Sequence, residues 1–272
     1  MADEETTHLT DHDATAVRRI RRATPQGAEE IEDALAVERR LRFTLNGREV
    51  AAVMCSPGHE DELGVGLALT QGLIRSAADL LSVGLRGDAE KGDAVRIVVP
   101  VELSLSVAGR VTARGTAGGV VQLEEELPVL EGDGPSVTSK ALLRMAQGLS
   151  AGQTIYARTG GTHGAGVFTA DGGLIALRED VGRHNAVDKA IGHCLLAGES
   201  LADKVLVISG RASREMVTKA ARGGVPILAS VSAATDAGVD VAERCRLTLV
   251  GFLRDERMNV YTCPHRIAAA DR

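Results

Sequence analysis

The stretch KVLVISGRASREMVTKAARGGVPILASVSAATDAGVDVAERCRLTLVGFL, residues 204–253, sets the architecture. Lys204 to Ser209 is a short apolar run bounded by glycine and reads as a buried strand. Ser213 to Arg222 follows with helical periodicity and stops at Gly223-Gly224. Val225 to Ser230 is a second strand, Asp236 to Cys245 a second helix, and Leu247 to Leu253 a third strand. Apolar runs alternating with helices predict two βαβ units with right-handed crossovers, hence a parallel sheet covered by helices.

That topology predicts where a ligand binds. Segments just past the strand carboxyl ends, Gly210 to Ser213, Val231 to Ala233 and Arg254 to Arg257, should lie along one edge, where open α/β sheets receive ligands. Ser213 is a natural N-cap for the helix after it, and Arg211, Arg254 and Arg257 would face a common crevice. Arginine's planar fork suits phosphate oxygens.

Upstream, EDVGRHNAVDK, Glu179 to Lys189, joins a turn to the start of a helix whose buried face is Val187, Ile191, Cys194 and Leu195. Its charged residues Glu179, Asp180, Arg183, His184 and Lys189 cluster around a helix N-terminus, which predicts an anion pocket. TGGTHGAG, Thr159 to Gly166, leads into strands joined at Asp171-Gly172-Gly173. Its Gly160 and Gly161 would let backbone N–H groups approach a ligand, with His163 beside them.

The first half reads as a smaller α+β unit. Residues 1–27 carry few large apolar side chains and are expected to be a disordered tail. Strands from Asp33 to Val53 surround Asn46-Gly47, a hairpin signal, and a short helix starts near His59 or Glu60. Val95 to Val99 and Leu103 to Val111 read as further strands, Arg114 to Val121 as a glycine-rich loop, and Glu131 to Pro135 as a linker. A helix is expected from Ser139 to Gln147, with Gly148 as its C′ residue. The expected division is thus a tail at 1–27, an α+β region at 28–133 and an α/β domain at 134–272.

Composition narrows the function. The chain has 272 residues, 44% of them apolar, enough for a real core. A net charge of -6 and 2% aromatic residues disfavour a nucleic-acid surface, while leaving room for one local basic pocket. No apolar run is long enough to cross a bilayer and the N-terminus lacks a leader pattern, so a cytoplasmic protein is expected. The four cysteines show no CxxC pair. Cys194 and Cys245 read as buried; Cys55 and Cys263, beside proline loops, read as the reachable thiols.

Taken together, NGREVAAVMCSPGHEDELGVGLALTQGLI at 46–74, TGGTH at 159–163, FTADGGLIALREDVGRHNAVDKAIG at 168–192, SGRASREMVTKAA at 209–221, VSAATDAGV at 231–239 and TLVGFLRDERMNVYT at 248–262 resemble the formate dehydrogenase accessory sulfurtransferase family (FdhD/NarQ). The resemblance implies a cytidine-deaminase-like α/β fold for the C-terminal part. It also implies a client, the molybdenum or tungsten bis(pyranopterin guanine dinucleotide) cofactor, with no permanent metal. Partners would be a cysteine desulfurase and formate dehydrogenase, and the oligomer a homodimer. The segment Phe252, Leu253, Arg254, Asp255, Glu256 and Arg257 would contribute to cofactor binding.

One departure is decisive for mechanism. The family's persulfide-carrying CGxCG-type motif aligns with GTAGG, where Gly115 and Gly118 occupy the cysteine positions. Glycine cannot hold a sulfane sulfur. Sulfur transfer through another thiol, Cys263 or Cys55, or through a partner therefore stands beside a cofactor chaperone or degenerate paralogue without sulfur transfer. A zinc deaminase is rejected, because TGGTHGAG lacks the His-x-Glu glutamate and no PCxxC occurs.

Overall fold

A computed structural model describes residues 14–87, 92–103 and 127–268. The expected strand at Leu103 to Val111 and the Gly115 and Gly118 positions fall wholly or largely outside those residues.

The chain opens with a ribbon, β1 (Thr15–Thr24) and β2 (Gly27–Ala36), paired antiparallel over its full length. This corrects the tail expectation for residues 15–27. The strands form because RRIRR lies opposite EEIED: Arg18 faces Asp33, Arg19 faces Glu32, Arg21 faces Glu30 and Arg22 faces Glu29, with Ile20 opposite Ile31. Opposite charges across a strand pair replace the missing apolar content.

Next, β3 (Arg39–Leu45) and β4 (Arg48–Cys55) form the Asn46-Gly47 hairpin, with both turn residues at positive φ as a type I′ turn requires. Helix α1 (Glu60–Thr70) follows, then β5 (Ser82–Arg86) and β6 (Ala94–Val98). The resulting sheet has the order β4-β3-β6-β5, with β3 and β6 parallel.

After β7 (Val137–Thr138) come α2 (Ser139–Gly152) and α3 (Thr154–Thr159). Thr138 caps α2 by accepting from the Ala141 N–H at 3.1 Å. Gly148 lies inside α2 and not at its end, because Leu149 is buried and carries the apolar stripe on for another turn. Then β8 (His163–Thr169), β9 (Leu174–Asp180), α4 (Arg183–Leu196), β10 (Lys204–Ile208), α5 (Arg214–Arg222), β11 (Ile227–Ser230), α6 (Asp236–Cys245), β12 (Thr248–Arg254), β13 (Arg257–Val260) and β14 (Ile267–Ala268) complete the chain.

The larger sheet is mixed, ordered β13-β12-β11-β10-β8-β9. The three strands of the βαβ units are mutually parallel, as the alternation predicts, while β8 runs antiparallel to β10 and β13 antiparallel to β12. Every residue of β10 and β11 is buried, as expected of strands covered on both faces. Their side chains alternate: Val205 and Val207 join the core under α2, Leu206 and Ile208 the core on the opposite face.

That second core runs without interruption from Leu41 and Phe43 of the smaller sheet, through α1 and α4, to Leu206, Leu228 and Leu249. The passage depends on glycine. A Cβ on Gly66 would lie 1.8 Å from the Asp188 carbonyl oxygen, and one on Gly192 would lie 1.9 Å from that of Glu62. Helices α1 and α4 therefore touch backbone to backbone. Polar groups pair beside the contact: Asp188 of α4 receives the Thr70 hydroxyl of α1 at 2.6 Å and Lys219 Nζ of α5 at 2.7 Å, all three side chains being buried.

The expected linker is fastened down. Arg266, 2% exposed, donates to the carbonyls of Gly132, Asp133 and Arg246 and to Thr248 Oγ1. The Arg246 carbonyl ends α6, so the guanidinium sits at the negative pole of that helix.

Candidate functional site

A cavity of about 870 Å³ opens at the carboxyl edge of the three parallel strands, on the face covered by α2. Each parallel strand supplies the residue that follows or ends it: Ser209 after β10, Val231 after β11, and Leu253 to Glu256 at the end of β12. His163 begins β8 at the same edge because β8 runs the other way. The far wall is α2 with Lys140, Arg144, Gln147 and Ser150, then Gln153, Tyr156 of α3, and Gly160 to Thr162.

The loops along this edge are stitched together. Ser230 Oγ donates to the Gly210 carbonyl at 2.7 Å, the Ala212 N–H to Ala233 at 2.9 Å, and the Phe252 N–H to Ser232 at 2.8 Å. Ser209 Oγ accepts from the Gly164 N–H at 2.9 Å, tying the glycine loop to β10. The segments expected to lie along one edge therefore do so.

Of the residues expected at the site, Gly160, Gly161, His163, Leu253, Arg254, Asp255 and Glu256 line the cavity. Phe252, Arg257, Arg211, Ser213, Arg183 and His184 are not among its lining residues. Phe252 lies instead beneath the Arg254 guanidinium, 5.8 Å from ring centroid to Cζ, a cation–π distance that holds the arginine over the cavity mouth. Arg257 is exposed on β13 opposite Arg254, and Arg211 is exposed beyond β10. Ser213 occupies the N-cap position of α5 without capping it; its hydroxyl is 3.4 Å from Glu215 Oε2.

Arg183 and His184 stand on the other face of the sheet, at the start of α4. His184 Nε2 is 3.3 Å from Glu215 Oε2. Arg183 reaches the edge at Gly210: a Cβ placed there would lie 3.4 Å from Arg183 and 3.7 Å from His163 Nδ1. Both distances are ordinary contact, so the histidine and the arginine meet beside Gly210 without requiring glycine there. Burial, and then the nearby Arg183 charge, push the His163 imidazole below its usual range; burial and then Lys219 do the same to His184, against the opposing pull of Glu215. Near neutral pH both rings are neutral.

The remaining charges of EDVGRHNAVDK are consumed by the architecture, which corrects the reading of that cluster as an anion pocket. Glu179 accepts from the Ile155 and Tyr156 N–H groups, each at 2.8 Å, and from the Thr162 hydroxyl at 2.6 Å. It therefore fixes the cavity wall without facing the cavity. Asp180, fully buried, pairs with Lys189 at 2.8 Å and accepts from the N–H groups of Ser56 and Gly182 and from Asn185 Nδ2. A buried carboxylate needs such partners, and these leave it none for a ligand.

The thiols differ from expectation too. Cys55 is fully buried and its thiol is pushed up to about 12, by burial first and then by the charge of Asp180. Cys194 and Cys245 are buried as expected, and only Cys263 is half-buried. Cys263 is far from the cavity. Its carbonyl accepts from Thr248 Oγ1 at the first residue of β12, whereas the cavity lies at the last, about 20 Å away at strand rise.

The α2 wall is what sequence reasoning missed. Lys140, Arg144 and Gln147 are spaced by four and three residues, a single polar stripe on a helix read only for its apolar side. With Arg254 opposite, itself 3.7 Å from Asp255, they give the cavity three cationic side chains against the two carboxylates of Asp255 and Glu256, over a floor of Leu143, Leu149, Val231 and Leu253. Such a mixture suits a ligand with anionic groups and a flat apolar part. Among the described residues no cluster of three or more His, Cys, Asp or Glu side chains is disposed to hold a metal ion.

The FdhD/NarQ family profile matches residues 36–268. The sulfur carrier protein FdhD of Nocardia farcinica is 42% identical over 264 residues, covering 93% of this chain and 95% of its own. Its namesake in Mycobacterium tuberculosis is 36% identical over 272 residues, covering 93% and 99%. A crystal structure from Desulfotalea psychrophila, described as that of a formate dehydrogenase accessory protein, superposes with a TM-score of 0.75 at 27% identity, over 94% of this chain and all of that one. On these matches, and on the fold just described, the chain belongs to the FdhD/NarQ family.

Proposed function

We propose that this chain is an accessory protein of formate dehydrogenase that holds one guanine dinucleotide arm of the molybdenum or tungsten bis(pyranopterin) cofactor in the α2 cavity and assists its sulfuration and delivery. The carrying observation is the cavity itself. Its volume falls in the range of about 300–1,000 Å³ typical of small-molecule sites, enough for one arm of a two-armed cofactor. Lys140, Arg144 and Arg254 would meet the pyrophosphate, and Tyr156 offers a flat surface to the base. The glycine backbone at Gly160 and Gly161 permits close approach. The cofactor supplies the metal and its sulfur chemistry; this chain's residues bind, orient and exclude water. The reading implies a cytoplasmic protein, with formate dehydrogenase and a cysteine desulfurase as partners. The strand order β9-β8-β10-β11-β12 supports a cytidine-deaminase-like description of the C-terminal part.

A second reading, a cofactor chaperone that carries no sulfur of its own, is favoured by one observation. Three of the four thiols are buried and Cys263 is at the opposite end of β12 from the cavity. No cysteine of this chain is placed to hand sulfur to a ligand there.

Calorimetric titration with guanosine diphosphate tests the cavity. Micromolar binding is expected, weakened about tenfold by Arg144→Ala or Arg254→Ala, the loss of one charge-assisted hydrogen bond. No binding by the unmodified protein, or unchanged affinity in both variants, would refute it. For the sulfur step, the protein is incubated with a cysteine desulfurase and labelled cysteine and examined by mass spectrometry. A persulfide on Cys263 refutes the second reading; its absence with retained nucleotide binding supports it.

A further inference from the structure

Among the described residues five cationic side chains are buried, and four of them have a carboxylate at hand. Lys189 pairs with Asp180 at 2.8 Å, Lys219 with Asp188 at 2.7 Å, Lys204 with Asp203 at 2.6 Å and Arg42 with Glu49 at 3.6 Å. Arg266 is the exception. It is 2% exposed, and among the described residues no carboxylate oxygen lies within 4 Å of its guanidinium. Its acceptors are three carbonyls and the Thr248 hydroxyl, all neutral. The pole of α6, met at the Arg246 carbonyl, supplies about half a counter-charge. An incompletely paired buried charge is costly, so a guanidinium held this way is short of an anion. It is also short of an acceptor. Of the five N–H donors a guanidinium has, Nε serves Asp133, Nη1 serves Arg246 and Thr248, and Nη2 serves Gly132, which leaves one donor on Nη2.

That arginine borders a second cavity, of about 530 Å³, where the segment from Asp133 to Ser136 meets Arg246 and His265. Arg246 and His265 bring a second guanidinium and an imidazole to it, and Ser136 a hydroxyl; Asp133, exposed, is the one acid of the lining. The cover is shaped to the arginine. Gly134 has φ 66°, and a Cβ there would lie 2.7 Å from Arg266 Nε. The cavity is separate from the α2 cavity, since Arg266 bonds Thr248 at the first residue of β12 while the α2 cavity takes Arg254 at the last. We propose that this second cavity binds a phosphate group, free or esterified to a small molecule, with Arg266, Arg246, His265 and Ser136 as its contacts. The guanidinium fork suits phosphate oxygens, and the anion supplies the charge that the buried arginine lacks. A volume within the range of about 300–1,000 Å³ usual for small-molecule sites leaves room for the rest of an ester.

Nuclear magnetic resonance titration of the full chain tests this, with inorganic phosphate and glycerol 3-phosphate added at constant ionic strength against chloride. The amide signals of Gly134, Ser136 and His265 should shift saturably, with a dissociation constant of about 1 mM or below. Tighter binding of glycerol 3-phosphate assigns the site to an ester and tighter binding of inorganic phosphate to the free anion; either supports the site. Arg246→Gly removes one cation at a position whose φ of 57° already suits glycine, so the fold is kept. That variant and His265→Ala should each bind roughly five- to tenfold more weakly, the loss of one hydrogen bond to a charged group. No saturable shift with either probe, shifts confined to Gly160 and Gly161 of the α2 cavity, or undiminished binding by Arg246→Gly would overturn the proposal.

Discussion

Replacing Gly192 by alanine should destabilise the protein strongly, although local helix energetics predict the reverse. Alanine in a helix interior is worth about 0.5–1 kcal/mol more than glycine. At position 192, however, the new Cβ would lie 1.9 Å from the Glu62 carbonyl oxygen, where ordinary contact begins at 3.4 Å. The obstacle is backbone, so no side-chain rotation relieves it and α1 must move from α4 by roughly 1.5 Å, within the flexibility of no close-packed core. Overpacking costs about 1–3 kcal/mol and occasionally more, and loosening the buried Leu63, Leu67, Val187 and Ile191 adds to it. A net loss of about 3 kcal/mol corresponds to a fall of roughly 6–12 °C in melting temperature for a chain of this size. Gly148→Ala is the matched control. Its Cβ would meet Phe168 at 3.7 Å, ordinary contact within α2, so the propensity gain should survive as a rise of a few degrees, about 0.5–1 kcal/mol. Thermal unfolding by circular dichroism measures both. A Gly192→Ala protein that melts no lower than the unmodified one would refute the backbone contact, and a Gly148→Ala protein that melts lower would return Gly148 to the helix terminus.

Asp188→Asn should cost about 3–5 kcal/mol in urea unfolding, since it leaves Lys219 buried with its ion-pair partner removed. Stability should also fall in acid through Glu62. Burial acts to raise its carboxyl, but hydrogen bonds from Arg178, His59 and His193 outweigh it and hold the group well below the usual range. A depressed carboxyl contributes stability above its unfolded value of about 4.3, and that contribution is lost as pH falls below it, so Glu62→Gln should flatten the acid limb of a melting-temperature profile. A chromogenic disulfide reagent should titrate one thiol, Cys263, in the native protein and all four in denaturant; rapid native reaction at Cys55 would contradict its burial.

The C-terminal sheet was legible because its strands are apolar runs separated by helices of clear period, and the carboxyl edge follows from that topology. Three things were hidden for identifiable reasons. The ribbon carries its signal in opposite charges, RRIRR against EEIED, and a reading for apolar alternation passes over it. The cavity-facing side of α2 was overlooked because Leu142 and Met145 explained the helix as packing. Glu179, Asp180 and Lys189 looked like ligand groups because sequence shows charge without showing that each already has a partner elsewhere in the fold, Ser56 for Asp180 and Lys189, and Ile155, Tyr156 and Thr162 for Glu179. Cys55 was misplaced for a related reason: a neighbouring Ser-Pro suggests a surface loop, yet the residue ends β4 under the core.

The Asp188–Lys219–Thr70 trio bears on how the polypeptide folds as it is made. Thr70 and Asp188 are made before Lys219, the only cation paired with that carboxylate among the described residues. Until then closing α1 on α4 would bury an uncompensated carboxylate, so the two helices should stay apart until Lys219 is available. Stalled chains ending before Lys219 should therefore be cut by protease between α1 and α4, and chains ending after α5 should resist. On that order of synthesis, the docking of α1 would wait for α5.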